Sequence, residues 1–392
     1  MNIRGADIAH TPTAHAFAIV FDDGTARLFT QPGATATLND HLGDRVSTDH
    51  YDGLLGALAS LSGHIRVDPA TAPSAVMQAV TDGSGTLAPG PDPCILPKAI
   101  KNEAELKGTT IAHLRDAAAM VEFLAWLDAE VPKGAQTEID VVTKLEGFRR
   151  ATNALHDISF DTICGSGPNG AVTHYRVTND SNRTIEPGEL LLVDSGGQYV
   201  DGTTDITRTI ATGAPTDDQQ QAFTRVLQGM IAVSRVRWPR GATGRDLDPL
   251  ARAPLWMAGR DYDHGTGHGV GVFLGVHEGP QRISRVSEVP LQPGMILSNE
   301  PGYYREGAFG IRIENLIVVE EAKPLPGGDN RDQLSFRTLT WVPIDTRLVV
   351  TAMLSPDERD WLNGYHSEVF ALISPRVSEE TQAWLKQATA AI

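Results

Sequence analysis

One stretch, from His264 to Glu314, constrains this chain more than any other. It reads HGTGHGVG over residues 264–271, then His277, then NEPGYY over 299–304 and GIRIEN over 310–315. Upstream, Asp194 and Asp205 bracket the segment DSGGQYVDGTTD. Two Asp, one His and two Glu make the oxygen-rich donor set that a pair of hard-to-borderline divalent cations needs. The expectation is a fold built to bring these segments together around a dinuclear metal site.

Composition narrows the classes. The 392 residues are long enough for two or three domains, and 41% hydrophobic content supports sizeable cores. A formal net charge of −16 argues against nucleic acid or an anionic membrane as partner, because both need a basic surface. The two cysteines, Cys94 and Cys164, have no CxxC companion, so a disulfide framework or zinc ribbon is not expected and both read as buried thiols. The N-terminus has no signal-peptide core and no run of about 18 apolar residues occurs, so a cytoplasmic protein is expected.

Taken in order, the chain predicts a mixed α+β architecture with two domains. Residues 1–97 read as a small α/β domain, with a hairpin around Asp22-Asp23-Gly24 and a helix over 51–61. Pro and Gly in the segment from Thr86 to Ile100 predict a linker. Residues 98–392 then form the larger domain. Asn102 is placed to cap a helix over 103–130, and Thr137 with Asp140 a second to about Arg150. Gly165–Gly170 reads as a loop. A strand over 190–193 ends at Asp194. Thr216 starts a helix to about Trp238, and another helix covers 246–257. Strands are expected around 271–274, 295–299 and 311–319, paired antiparallel through short turns, followed by helices over 355–372 and 378–390.

Several competing motifs fail on spacing. DSGG resembles a serine-protease nucleophile, but the long helical stretches do not fit that all-β fold, so Ser195 reads as structural. HGTGHGVG does not give GxGxxG, GSGPNG lacks a following Lys-Ser/Thr pair, and no HExxH is present. A lone histidine is usually a satisfied polar residue, yet His264, His268 and His277 lie within fourteen residues. Glu300 follows an apolar strand, where an unpaired charge is costly. Glu314 alternates with Ile311 and Ile313 as on a strand with one buried and one functional face. The eleven-residue separation of Asp194 and Asp205, with a glycine turn between, allows a hairpin to place both on one inner face.

These residues resemble the X-prolyl aminopeptidases of the "pita-bread" metallopeptidase group over essentially the whole chain. The motifs that carry it are DSGGQYVDGTTDITRT, HGTGHGVG, VHEGP, NEPGYY and GIRIEN. The resemblance implies a creatinase-type N-terminal domain before a pita-bread catalytic domain with a C-terminal helical segment. It implies Asp194 as ligand to one metal, Asp205 and Glu314 as bridges, and His268 and Glu300 on the other. It implies substrate or proton-shuttle roles for His174, His264 and His277, and substrate contacts for Tyr304 and Arg312. The cofactor implied is two divalent ions, Mn(II) first, with Zn(II) or Co(II) as alternatives.

The implied mechanism is a hydroxide bridging two metals roughly 3.5–4 Å apart. His277 stabilises the oxyanion and Glu300 relays the proton to the proline nitrogen. Substrates would be peptides with proline second, and the alternatives are an X-Pro dipeptidase of the same fold or a catalytically silent peptide- or protein-binding relative. A homodimer is implied, with Trp361, Tyr365 and Trp384 either at its interface or packed on the chain's own core. The long family members carry a further N-terminal lobe, so this chain reads as the middle and catalytic domains alone.

Overall fold

The structure is a computed structural model that describes residues 1–31 and 38–392. It divides into two compact units, Met1–Lys98 and Ala99–Ile392. In the first, the hairpin forms around Gly24, which takes the left-handed φ of 80° that the turn requires. Phe17–Val20 pairs antiparallel with Ala26–Thr30, which pairs parallel with Val46–His50. Ser62–Val67 and Ser84–Pro89 form a separate parallel pair. The core gathers Phe29, Leu54, Ala57, Leu58 and Val80. The expected linker therefore begins later than Thr86. Residues 86–89 belong to a strand, and Pro89, with no N–H for a ladder, marks its end.

In the second unit the capping chemistry behaves as the sequence predicts. Asn102 with Glu105 closes a capping box on helix Glu103–Glu130, and Thr137 with Asp140 does so on Glu138–Ala151. Antiparallel strands Ile206–Ala211, Leu190–Ser195 and Ile163–Ser166 form one sheet. A second runs Arg237–Pro239, Gln333–Thr338, Asn315–Glu321, Ile296–Asn299. Leu190, Leu191 and Val193 share a core with helical Met120, Phe123, Val226 and Met230. Burying each such side chain stabilises by about 1.5–3 kcal/mol. The aromatics Trp361, Tyr365 and Trp384 pack on this same core, with Trp361 and Tyr365 stacked at 5.3 Å.

Three further expectations, all in the second unit, need correction. The helix from Asp217 stops at Arg235, because Trp238 precedes a proline and takes an extended backbone instead. Its ring lies 4.5 Å from Phe336. No strand forms over 271–274. Phe273 has φ 50°, which breaks an extended run, and the local pairing is Gly267–His268 with Arg282–Ile283. Gly165 and Ser166 are strand, and Gly167–Ala171 a 3-10 turn, where a loop was expected. Of the two free thiols, Cys164 is buried but Cys94 is exposed. No described helix is long and apolar enough to cross a membrane.

One buried histidine gives the fold a pH dependence. His366, on helix Pro356–Ile373, accepts a hydrogen bond at Nε2 from the Ile344 N–H at 3.1 Å. Burial, with the Arg208 charge nearby, lowers its pKa to about 4 from 6.5. The unfolded chain therefore binds the extra proton first, and stability falls as pH drops from about 6.5 to about 4. The full loss is about 3 kcal/mol. Denaturant unfolding of wild type and His366→Gln at pH 7.5 and pH 5 should differ by a gap that changes by about 2 kcal/mol, the part of the loss that falls between these pH values. A gap constant with pH contradicts the assignment.

Candidate metal centre

The register of one strand pair creates the acidic half of the site. Asp194 sits opposite Thr207 in the antiparallel pairing. Asp205 lies two residues before Thr207, so by strand alternation it shares a face with Asp194. Both are buried. Glu314 enters from a third segment: its backbone N–H bonds Thr207 O at 3.1 Å, and its Oε2 accepts from Thr207 Oγ1 at 2.7 Å.

His268 and Glu300 complete the cluster. The His268 backbone N–H donates to Ser298 Oγ at 2.9 Å, and Ser298 Oγ donates to Glu300 Oε1 at 3.0 Å. His268 Nε2 lies 3.3 Å from Glu300 Oε1 and 3.5 Å from Asp205 Oδ2. Ligand atoms of Asp205, His268 and Glu314 all fall within 4.8 Å of one another. Burial pushes the carboxyls of Asp205 and Glu314 well up, and Glu300 up as well, with the neighbouring carboxylates adding to each. Asp194 Oδ1 and Glu314 Oε1 are buried without a hydrogen-bond partner. Crowded carboxylates with orphaned oxygens are relieved by a bound cation or by a proton, and the donor set of one imidazole and four carboxylates fits divalent ions.

The remaining sequence candidates line the same place. Arg312 is fully buried and holds Asp194 Oδ2 at 2.6 Å, Thr207 Oγ1 at 3.1 Å and the Tyr304 hydroxyl at 2.5 Å. Its guanidinium is thus engaged by the site's own residues. Tyr304 OH also lies 3.0 Å from His264 Nε2, and burial pushes its pKa up to about 12. His264 is half-buried, and burial with the Arg312 charge lowers it to about 4. His277 stands edge-on to His268, centroids 4.1 Å apart. The residue as a whole is exposed, yet partial burial of the ring and the neighbouring His268 lower its pKa to about 4. His174 is exposed.

Sequence reasoning missed the supports. Thr207 and Thr209 point into the site at period two from DITRT, Thr209 Oγ1 donating to Arg312 O at 3.0 Å. Asp248 and Arg252, on helix Gly244–Trp256, hold the HGTG loop: Thr266 Oγ1 donates to Asp248 at 2.6 Å and Arg252 donates to His264 O at 2.7 Å. The alternation of DITRT was a readable signal. Asp248 and Arg252, i and i+4 on an amphipathic helix, gave none. A cavity of about 240 Å³ lined by Arg208, Ile210, Ile344 and Trp384 contains none of the site's carboxylates or histidines.

Residues 107–321 match metallopeptidase family M24, residues 332–392 the C-terminal region of these peptidases, and residues 1–105 the creatinase/prolidase N-terminal domain. The chain belongs to metallopeptidase family M24. Among its relatives, aminopeptidase P2 of Arabidopsis thaliana is 43% identical over 98% of this chain and 59% of its own length. A probable Xaa-Pro aminopeptidase P of Laccaria bicolor is 40% identical over 99% of this chain and 62% of its own. The chain thus spans about three fifths of the length of these curated relatives. The X-prolyl aminopeptidase of Caenorhabditis elegans is described as a cytosolic enzyme with a di-nuclear active site. It matches with a TM-score of 0.91 at 33% identity, over 99% of this chain and 65% of that one. A Bacillus anthracis Xaa-Pro dipeptidase matches at 0.65 and 26%, over 82% and 86%. This M24 chain therefore carries the pita-bread fold of its relatives after a creatinase-type N-terminal domain.

Proposed function

We propose that this chain is a dinuclear metallo-aminopeptidase that releases the first residue of peptides beginning X-Pro. The observation that carries the reading is the convergence of Asp205, His268, Glu300 and Glu314, with Asp194 Oδ1 and Glu314 Oε1 buried and unpartnered. Asp194, Asp205, His268, Glu300 and Glu314 would hold two ions, Mn(II) first and Zn(II) or Co(II) as alternatives. Bound there, the ions lower the pKa of a water and polarise the scissile carbonyl.

The chain's own residues do the rest. The nitrogen of an X-Pro bond carries no hydrogen, so the departing proline must be given one. Glu300, its carboxyl raised by burial, is suited to take a proton from water and deliver it to that nitrogen. His277, exposed and edge-on to His268, would donate to the developing oxyanion. His264 stays neutral near pH 7 and bonds Tyr304, leaving it with His174 to orient the peptide.

The likeness to a neighbour described as cytosolic and the free thiols support a cytoplasmic setting. The net charge of −16 speaks against nucleic acid or membrane as partner. Homodimerisation stays in the proposal, with Trp361, Tyr365 and Trp384 packed on the chain's own core.

The decisive experiment strips metal with chelator, reloads Mn(II), Zn(II) or Co(II) singly, and compares X-Pro with X-Pro-Y-Z peptides. Elemental analysis of the saturated protein should find about two ions per chain, with the longer peptides cleaved. Cleavage of X-Pro alone indicates a dipeptidase. No cleavage with no metal bound indicates a silent peptide- or protein-binding relative.

A further inference from the structure

Arg208 follows Thr207 on the strand Ile206–Ala211, so strand alternation turns its side chain away from the face carrying Thr207 and Thr209. It is buried, 2% exposed. Its Nε donates to Pro343 O at 3.0 Å. Its Nη1 donates to Thr207 O at 2.9 Å and Glu314 O at 2.6 Å. Its Nη2 donates to Asn315 Oδ1 at 2.8 Å, Val342 O at 2.7 Å and the Tyr365 hydroxyl at 3.1 Å. None of these acceptors is a carboxylate. A buried guanidinium is ordinarily held by an acid. Here the whole donor set is directed at carbonyls, one amide and one hydroxyl.

The location explains why. Strand Phe309–Arg312 ends just before Ile313-Glu314, and strand Asn315–Glu321 begins just after. Glu314 therefore sits in a break of the ladder, where its carbonyl needs a partner from elsewhere, and Arg208 supplies it. The Glu314 N–H is held by Thr207 O and its Oε2 by Thr207 Oγ1. Residues 207 and 208 thus fix this glutamate at its N–H, its carbonyl and one carboxylate oxygen, leaving Oε1 unpartnered. The same guanidinium is fastened from behind by Val342, Pro343 and Tyr365 of the C-terminal region.

We infer that Arg208 is a positioning residue for the metal centre, holding the Glu314 main chain so that its carboxylate stays directed at the cluster of Asp205 and His268, with the Val342–Tyr365 segment as its anchor. The inference rests on the reading of Glu314 as a metal ligand. A residue acting at one remove from a metal ligand typically changes metal affinity or activity by about 10–100-fold.

The test uses the full chain and Co(II), whose visible absorption reports coordination geometry. Arg208→Lys and Arg208→Met are titrated with Co(II) by calorimetry and absorption, beside wild type and Leu362→Ala. Leu362 is fully buried on the same helix as Tyr365, and its truncation is the control for lost stability alone. The expected result is that folded Arg208 variants bind the second Co(II) about 10–100-fold more weakly with an altered spectrum. Leu362→Ala should unfold at lower temperature with wild-type affinity and spectrum. Arg208 variants with wild-type affinity and spectrum overturn the inference.

Where neither Arg208 variant folds, Tyr365→Phe decides. It keeps the ring stacked on Trp361 and deletes the hydroxyl that receives Arg208. A weaker second site supports the inference, and an unchanged one overturns it. Wild type that binds fewer than two Co(II) ions overturns instead the dinuclear reading of the site.

Discussion

Glu300→Gln leaves the fold standing and lowers kcat on an X-Pro tripeptide by at least about 10²-fold. The amide is nearly the same size as the acid, and its oxygen can still accept from Ser298 Oγ, which now lies 3.0 Å away. The backbone bond from Glu300 N–H to Thr266 O, at 2.8 Å, is untouched. What disappears is the negative charge 3.3 Å from His268 Nε2 and the ability to take a proton. Loss of a general base alone costs about 10²–10⁴-fold, and weaker metal binding adds to that. If Glu300 only closed the turn into Pro301-Gly302, glutamine would serve almost as well. Thermal unfolding and kcat measured in excess metal separate the two. A well-folded variant that keeps more than about a tenth of wild-type kcat contradicts the role of Glu300 as base.

The ligand-bearing segments were legible because each is written in local chemistry. The hairpin from Asp194 to Asp205 is signalled by its glycines and by the strands on either side. The helix starts at Asn102, Thr137 and Thr216 are written as capping residues, and each forms a capping box. What local pattern cannot give is partnership across the fold. The alternation in DITRT hints that Thr207 and Thr209 share a face opposite Arg208, but not what each face meets. Only tertiary contacts over about a hundred residues reveal that alternate side chains serve the site and its backing. The resemblance implies a substrate contact for Arg312, and nothing local in the sequence shows that its donors also reach Asp194, Thr207 and Tyr304. The misplaced strand at 271–274 failed for a related reason. Its apolar residues suit a strand, but Phe273 adopts a positive φ that no propensity signals.

Asp205→Asn should change the sign of its effect on stability when metal is added. In chelator-stripped protein, Asp205 is a buried acid whose carboxyl is pushed well up by burial and by Asp194 and Glu300. Holding that charge without cations costs stability. Asparagine has the same shape and no charge, so the metal-free variant should melt at or above the wild-type temperature. With metal the order reverses. Ions that bind only the folded state at about a thousand times their dissociation constant stabilise wild type by about 4 kcal/mol. That corresponds to about 5–10 °C in Tm for a unit of this size. The variant has lost a carboxylate beside His268 and Glu314, so it should gain little. An ordinary buried hydrogen-bonding aspartate would behave otherwise, the asparagine variant being destabilised by the same amount in both conditions. Tm measured for both proteins in EDTA and in excess Mn(II) decides between them. A wild-type advantage of equal size in the two buffers removes Asp205 from the metal site, because only a charge that the cations neutralise makes the difference depend on them.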